Sequence, residues 1–387
     1  MFYIQHGYGK STKIWECIRD GAISGVILSP GHEDVATLID TARTVSMTGT
    51  RVLIDPQSYI YSTNPQGQLR HHEAQGLRFS NLHWALTASD LASIVGDVRS
   101  INERSGVPGP WIAPAPFHRS LVDYWVPLSV QLARTAQQEW VSGAIATLAI
   151  DESTLSDWDR VADWLDALTT LDVQGFYVIV SRRLPSYPPL PWENLALTNL
   201  LRLIYTLAVV NEYQLYWGYA DVDGLLGIAA GATAVAAGWT YGLRQFGVER
   251  YSEQRAGGAP AVPRVYAPGL LSDLRYNEAG DIYNRTQLRE QVFAQPILAE
   301  FENRDFSSLT NPQAQVLHLV GLSRDVFALG SITSTSERLD ALQARLQHAR
   351  RTFEMLASAG LALDPRHRAR IESYELAVSA FRREVAR

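Results

Sequence analysis

The sequence predicts an α/β protein: a (β/α)8 barrel with a C-terminal helical extension. Three observations carry that prediction. Apolar runs of strand length alternate with amphipathic segments of helix length, eight such runs fall within residues 1–250, and beyond residue 285 only helical periodicity remains. Continuous apolar strands separated by helices indicate a parallel sheet covered on both faces. Eight of them over about 240 residues match a closed barrel. An open doubly wound sheet is the rival topology, but no Gly-x-Gly-x-x-Gly follows the first strand.

The strands are read in order as 2–7, 25–31, 51–57, 111–117, 143–151, 175–182, 213–220 and 232–239. A short helix near Ser11 follows the first, and a helix from His32 to about Gly49 follows the second. The third leads into a long polar loop, 58–86. Thr87 and Asp90 have the spacing to cap the next helix, which ends near Gly106. Helices over 121–140, 155–171 and 192–211 follow the next three strands, the last after the Pro-rich LPSYPPLP. The stretch WGYADVDGLLGIAAGATAVAAGW (217–239) closes the set, with a short glycine-rich helix between strands seven and eight. The barrel is therefore expected over 1–250 and a linker over 251–285, including RAGGAPAVPR. A helical region follows over 286–387, with helices at 286–303, 311–330, 336–360 and 364–386, the third capped by Ser336.

Composition limits the function classes. The 387 residues are 46% apolar and 19% charged, enough for a sizeable core and against global disorder. A net charge of −6 argues against a surface that tracks bare phosphate backbone throughout. The single cysteine, Cys17, excludes an internal disulfide and a cysteine-rich zinc site, and fits a reducing, cytoplasmic setting. The opening MFYIQHGYGK has no secretory-signal pattern, and no run of about 18 apolar residues predicts a membrane span. Nearly all positive charge is arginine, the residue suited to bidentate anion recognition.

Chemistry in this architecture sits at the carboxyl ends of the strands. Those ends offer Gln5 and His6, Ser29 and His32, then Asp55, Gln57 and Tyr59. His118 and Arg119, Asp151 and Glu152, and Ser181, Arg182 and Arg183 follow, and the seventh strand adds Tyr219, Asp221 and Asp223. Asp55 and Asp151 each end an apolar strand directly. They are the expected acid/base or recognition pair, with Glu152 beside them, although each has the position to cap its own turn instead. Asp221 and Asp223 open a helix, where N-capping is the first expectation. Gln57, Tyr59, His118, Arg182, Tyr219 and Asp221 are the expected substrate contacts. Gly218 and Gly238 would either let backbone approach a ligand in an anion-binding loop pair or let a short helix pack tightly on the sheet, and Arg182 would either grip the anion or form rim salt bridges. No His-Glu-x-x-His or His-x-His spacing calls for a metal, and no cofactor motif is present. His71-His72-Glu73 is expected as a solvated turn in a loop long enough to act as a lid. GYGKST (7–12) looks like the end of a phosphate-binding loop, but Ile4 stands where that motif needs Gly.

The order of strand ends resembles the tRNA-guanine transglycosylase barrel. VLIDPQSY is similar to the family's strand ending in Asp before a turn, LAIDES to its Asp-Glu pair, and YWGYADVDGLLGIAAGATAVAAGW to its strand–short helix–strand segment. The likeness covers residues 25–245 at most. It implies a nucleobase-recognising role for Asp55. Ala236 stands where the family has its nucleophilic Asp, Cys17 alone cannot build the family's zinc site, and the Asp-Glu pair falls one strand later.

The expected function is thus a barrel enzyme acting on a polar, anionic or nucleobase-containing substrate, with base or glycosyl transfer on nucleic acid as one specific version. A second reading is a catalytically degenerate barrel serving as a binding subunit. A third is glycoside hydrolysis by a facing carboxylate pair. The arginines of the C-terminal helices are read either as a solvated surface or as a docking face for a protein or nucleic-acid partner.

Overall fold

The computed structural model describes residues 1–7, 12–63, 71–79, 82–83, 86–183, 186–251, 262–302 and 305–385. Most of GYGKST, parts of the 58–86 loop and most of RAGGAPAVPR lie outside the described residues. The strands are β1 (Phe2–Gln5), β2 (Gly25–Leu28), β3 (Arg51–Ile54), β4 (Trp111–Ile112), β5 (Phe117–His118), β6 (Ala144–Asp151), β7 (Gly175–Ser181), β8 (Gln214–Trp217) and β9 (Ala234–Ala237). They pair in parallel in the order β3-β2-β1-β9-β8-β7-β6-β4, with β5 also on β6. The expected fourth strand is interrupted at Pro114 and Pro116, which have no N–H to give to a ladder, so β4 and β5 form one broken barrel strand. The result is a nearly closed eight-stranded (β/α)8 barrel.

The ring is completed between β3 and β4 by side chains. Ser58 Oγ accepts from Ala115 N and donates to Ala115 O, both at 2.9 Å, and Ser62 Oγ accepts from Phe117 N at 2.7 Å. These hydroxyls supply at the seam what a backbone ladder supplies elsewhere. Every residue of β7 is buried, because its two faces meet the barrel interior and the outer helices.

The outer helices are α1 (Thr12–Arg19), α2 (Val35–Ser46), α3 (His72–Gln75), α4 (Ala88–Ser105), α5 (Trp125–Glu139), α6 (Trp158–Leu168), α7 (Asn194–Tyr205), α8 (Gly224–Ala230) and α9 (Tyr241–Arg244). Thr87 and Asp90 form the expected capping box on α4, and Gly106 ends it in the left-handed region at φ 67°. His72 does not lie in a solvated turn. It is buried against Tyr61 and Phe79, and that burial pulls its imidazole down to about 3.

The segment expected as a linker carries structure. An antiparallel hairpin, β10 (Arg264–Ala267) and β11 (Ser272–Arg275), leads into α10 (Tyr276–Arg285). Then come α11 (Arg289–Val292), α12 (Gln295–Phe301), α13 (Asn311–Gly330), α14 (Thr335–Ser358) and α15 (Pro365–Val385). The cap of α14 is Ser334 rather than Ser336. These helices pack on the α7–α8 side of the barrel. On α15, Ile371, Tyr374, Val378 and Phe381 are buried, each contributing about 1.5–3 kcal/mol. Arg338 reaches the Ile228 carbonyl at 2.9 Å, and Lys13 Nζ donates to Gln315 at 2.7 Å. Among the described residues, no helix is long and apolar enough to cross a membrane.

Candidate functional site

Asp55 leaves β3 at the carboxyl rim and is fully buried. Its Oδ1 accepts from the Gln57 backbone N–H at 3.0 Å, a bond formed because Gln57 adopts φ 54°. Its Oδ2 accepts from the Tyr59 hydroxyl at 2.8 Å and from Tyr177 at 3.2 Å, and Tyr177 also reaches Gln5 Oε1 at 3.2 Å. Gln57 Nε2 donates to the Tyr219 hydroxyl at 3.3 Å. Burial raises the Asp55 carboxyl to about 6, although the bonds from Tyr59, Gln57 and Tyr177 pull the other way. In the same cluster Gln5 Nε2 and Gln57 Oε1 are buried without a partner. Tyr219 also has positive φ, at 55°, so two strained non-glycine residues meet at this one site. Phe246 covers the cluster, with its ring 5.4 Å from both Tyr59 and Tyr219.

Asp151 and Glu152 stand elsewhere on the rim. They line a cleft of about 460 Å³ beyond the ends of β6 and β7, together with Arg182, Arg183, Glu193 and Glu249. Asp55 is not among its lining residues. Residues 245–251 lie between the two regions: Gln245 and Glu249 face the cleft, whereas Phe246 covers the Asp55 cluster. Asp151 Oδ1 caps its own turn, accepting from Ser153 N at 3.0 Å and Ser153 Oγ at 2.6 Å. The donors of Arg182 go to Glu152 at 3.1 Å, Asp223 at 3.4 Å and the carbonyls of Leu190 and Pro191, both at 3.0 Å, and its guanidinium lies 4.0 Å over Trp192. The expected trio of Asp55, Asp151 and Arg182 thus divides into a buried centre and an open cleft.

The loop after β8 serves the seam between barrel and helices. Asp223 does not cap α8. It accepts from Arg370 at 3.0 Å, Trp192 Nε1 at 2.8 Å, Arg182 and the Tyr374 hydroxyl. Burial alone would raise its carboxyl, but Arg370 and Arg182 hold it below its ordinary value. Asp221 likewise pairs with His318 Nε2 at 2.7 Å instead of capping. Gly218 and Gly238 serve close packing: a methyl group on Gly218 would come within 2.5 Å of the Tyr177 hydroxyl oxygen, and one on Gly238 would strike Leu243 and the Gln5 carbonyl.

His6 is buried 3.2 Å from Glu33, and His118 is buried edge-on to Trp164. Among the described residues, no cluster of three or more His, Cys, Asp or Glu side chains is gathered as a metal site requires. The C-terminal arginines are largely neutralised within the helices, as in Arg382–Asp340, Arg345–Asp325 and Arg350–Glu375. The carboxyl rim of β3 marked Asp55 in sequence. The roof at Phe246 and the Asp223–Arg370 pair had no local signal, because their partners are remote in the chain. The sequence matches no protein-family model, and no curated protein matches it.

Proposed function

We propose that the protein is a barrel enzyme that takes a small polar ring, a nucleobase or a sugar, at the carboxyl-terminal mouth, with Asp55 recognising the ring and exchanging a proton with it. One observation supports this above the others. Among the described residues, a buried carboxyl with no cation beside it shares one cluster with an unpaired amide donor, Gln5 Nε2, and an unpaired amide acceptor, Gln57 Oε1. An unmatched buried polar atom costs about 1–3 kcal/mol, so a polar plug built for stability alone would pair these amides. Donor, acceptor and carboxyl form the set that reads the edge of a hydrogen-bonding ring, and a carboxyl near 6 is suited to proton transfer. The ring enters when the Phe246 side chain turns aside, and Asp151 and Glu152 in the adjoining cleft receive the rest of the substrate. Transfer or hydrolysis at a glycosidic bond is the specific version favoured by the rim's carboxylates. It proceeds without a covalent aspartyl on β9, whose residues are Ala, Val, Ala and Ala.

The test is a panel of nucleobases, nucleosides and monosaccharides, read by thermal shift and by mass-spectrometric turnover. One class should stabilise the wild type but not Asp55→Asn, and turnover should vanish in the variant. Equal shifts in both proteins, or no shift and no turnover, would overturn the proposal. The covering of Asp55 by Phe246 favours a second reading, a catalytically silent binding subunit. There, Phe246→Ala would open the mouth without creating ligand binding.

A further inference from the structure

A second, half-open pocket, which Asp55 does not line, lies where the end of β9 meets α13 and the β10–β11 hairpin. It measures about 250 Å³ and is walled by Tyr187, Trp239, Tyr241, Arg244, Arg264 and Gln315, among others. Among the described residues no acidic side chain lines it, although the chain carries a net charge of −6. It shares no lining residue with the rim cleft.

Arg264 and Arg275 are register partners across the hairpin, and like charges directly opposite one another weaken a strand pair. The Tyr187 ring is inserted between them, its centroid 4.4 Å from one guanidinium carbon and 4.3 Å from the other. Arg264 also lies 3.9 Å over Tyr241. Its Nε is buried without a partner, and among the described residues its side chain makes no hydrogen bond or ion pair. Arg244 differs: it donates to the Gly238 carbonyl at 3.0 Å and pairs with Asp273 at 3.6 Å. The nearby acids are occupied, Asp273 by the Tyr241 hydroxyl and Glu278 by that of Tyr187. Lys13 adds positive charge behind the wall, 4.7 Å over the Trp239 ring.

A guanidinium fork held flat by two phenol rings, with its donors uncommitted, is prepared for a phosphate. The faces of Trp239 and Tyr241 suit a planar ring beside it. We propose that this junction pocket binds a small phosphate ester of a planar ring, with Arg264 as the partner of the phosphate. Because the pocket lies between the barrel and the helical region, its ligand also fastens the two together.

Calorimetric titration with phenyl phosphate, inorganic phosphate and phenol tests this. A ring phosphate should bind more tightly than inorganic phosphate or phenol and should weaken with added salt. Arg264→Gln should reduce its affinity by about tenfold or more, while Asp55→Asn leaves it unchanged. Should Arg264→Gln fail to fold by circular dichroism, Arg264→Lys is read instead, and its loss of the planar fork should also weaken binding. Absence of saturable ring-phosphate binding to the wild type, unchanged affinity in the folded Arg264 variant, or loss of binding in Asp55→Asn would overturn the assignment.

Discussion

Asp55 and Asp223 are both buried carboxylates at the same rim of the same barrel, yet their surroundings oppose each other. Asp223 sits between two guanidiniums, Arg182 and Arg370, and is held below its ordinary range. Among the described residues Asp55 meets only hydroxyls and amides, and burial pushes it up to about 6. A carboxylate matched by cations holds parts together: Arg370 arrives from α15 and ties the helical region to the barrel. A carboxyl left without a cation keeps its proton within reach of neutral pH, the property a site of chemistry needs. Burial is common to both, and the charge of the neighbours separates the structural carboxylate from the one proposed for chemistry.

The sharpest way to break this contrast is Asp223→Ala. It leaves the buried Arg370 guanidinium without its counter-charge and Arg182 with Glu152 alone, and should cost about 3–5 kcal/mol in denaturant unfolding. A loss under about 1 kcal/mol would mean that the seam is held by packing alone. Asp55→Asn should act through pH. The folded carboxyl holds its proton up to about 6, against an ordinary value of 3.8. Its stabilising contribution is therefore complete below the unfolded value and drains away as pH rises through that window. Above it the wild type bears a penalty of about 3 kcal/mol that Asn lacks. Unfolding free energies at pH 4 and pH 7 should shift in favour of the variant by up to that amount, and a flat difference would refute the raised carboxyl.

Tyr177→Phe sharpens the same point. It removes one hydroxyl from Asp55, should cost about 1 kcal/mol, and should move the Asp55 titration further upward, read by NMR of the carboxyl. The smallest effect belongs to Arg264→Gln without ligand: losing its stacking on Tyr187 and Tyr241 should cost about 0.5–1 kcal/mol, offset in part by relief of its repulsion with Arg275.

The barrel was legible because each strand is a continuous apolar run and each intervening segment has helical period. Thr87 with Asp90 marked one helix start, and α13, α14 and α15 fell within two residues of their expected bounds. Asp55 was visible as a carboxylate ending a strand. What surrounds it was not, since Tyr177 and Phe246 come from distant segments and one backbone twist at Gln57 decides its first hydrogen bond. Asp221 and Asp223 read locally as caps, and only the docking of α13 and α15 gives them His318 and Arg370. The hairpin at 264–275 was hidden by its central Pro-Gly-Leu turn and by Ser272 and Asp273, which interrupt its apolar pattern.

The first strand lies between β2 and β9, so one of its two neighbours is translated more than two hundred residues after it. At a ribosomal pace of about 5–20 residues per second, the nascent chain carries that bare strand margin for roughly ten seconds or longer. Throughout that interval the margin is a template for any other extended peptide in reach. Yield of intact protein should therefore depend on chaperone supply and growth temperature more steeply than its final stability implies.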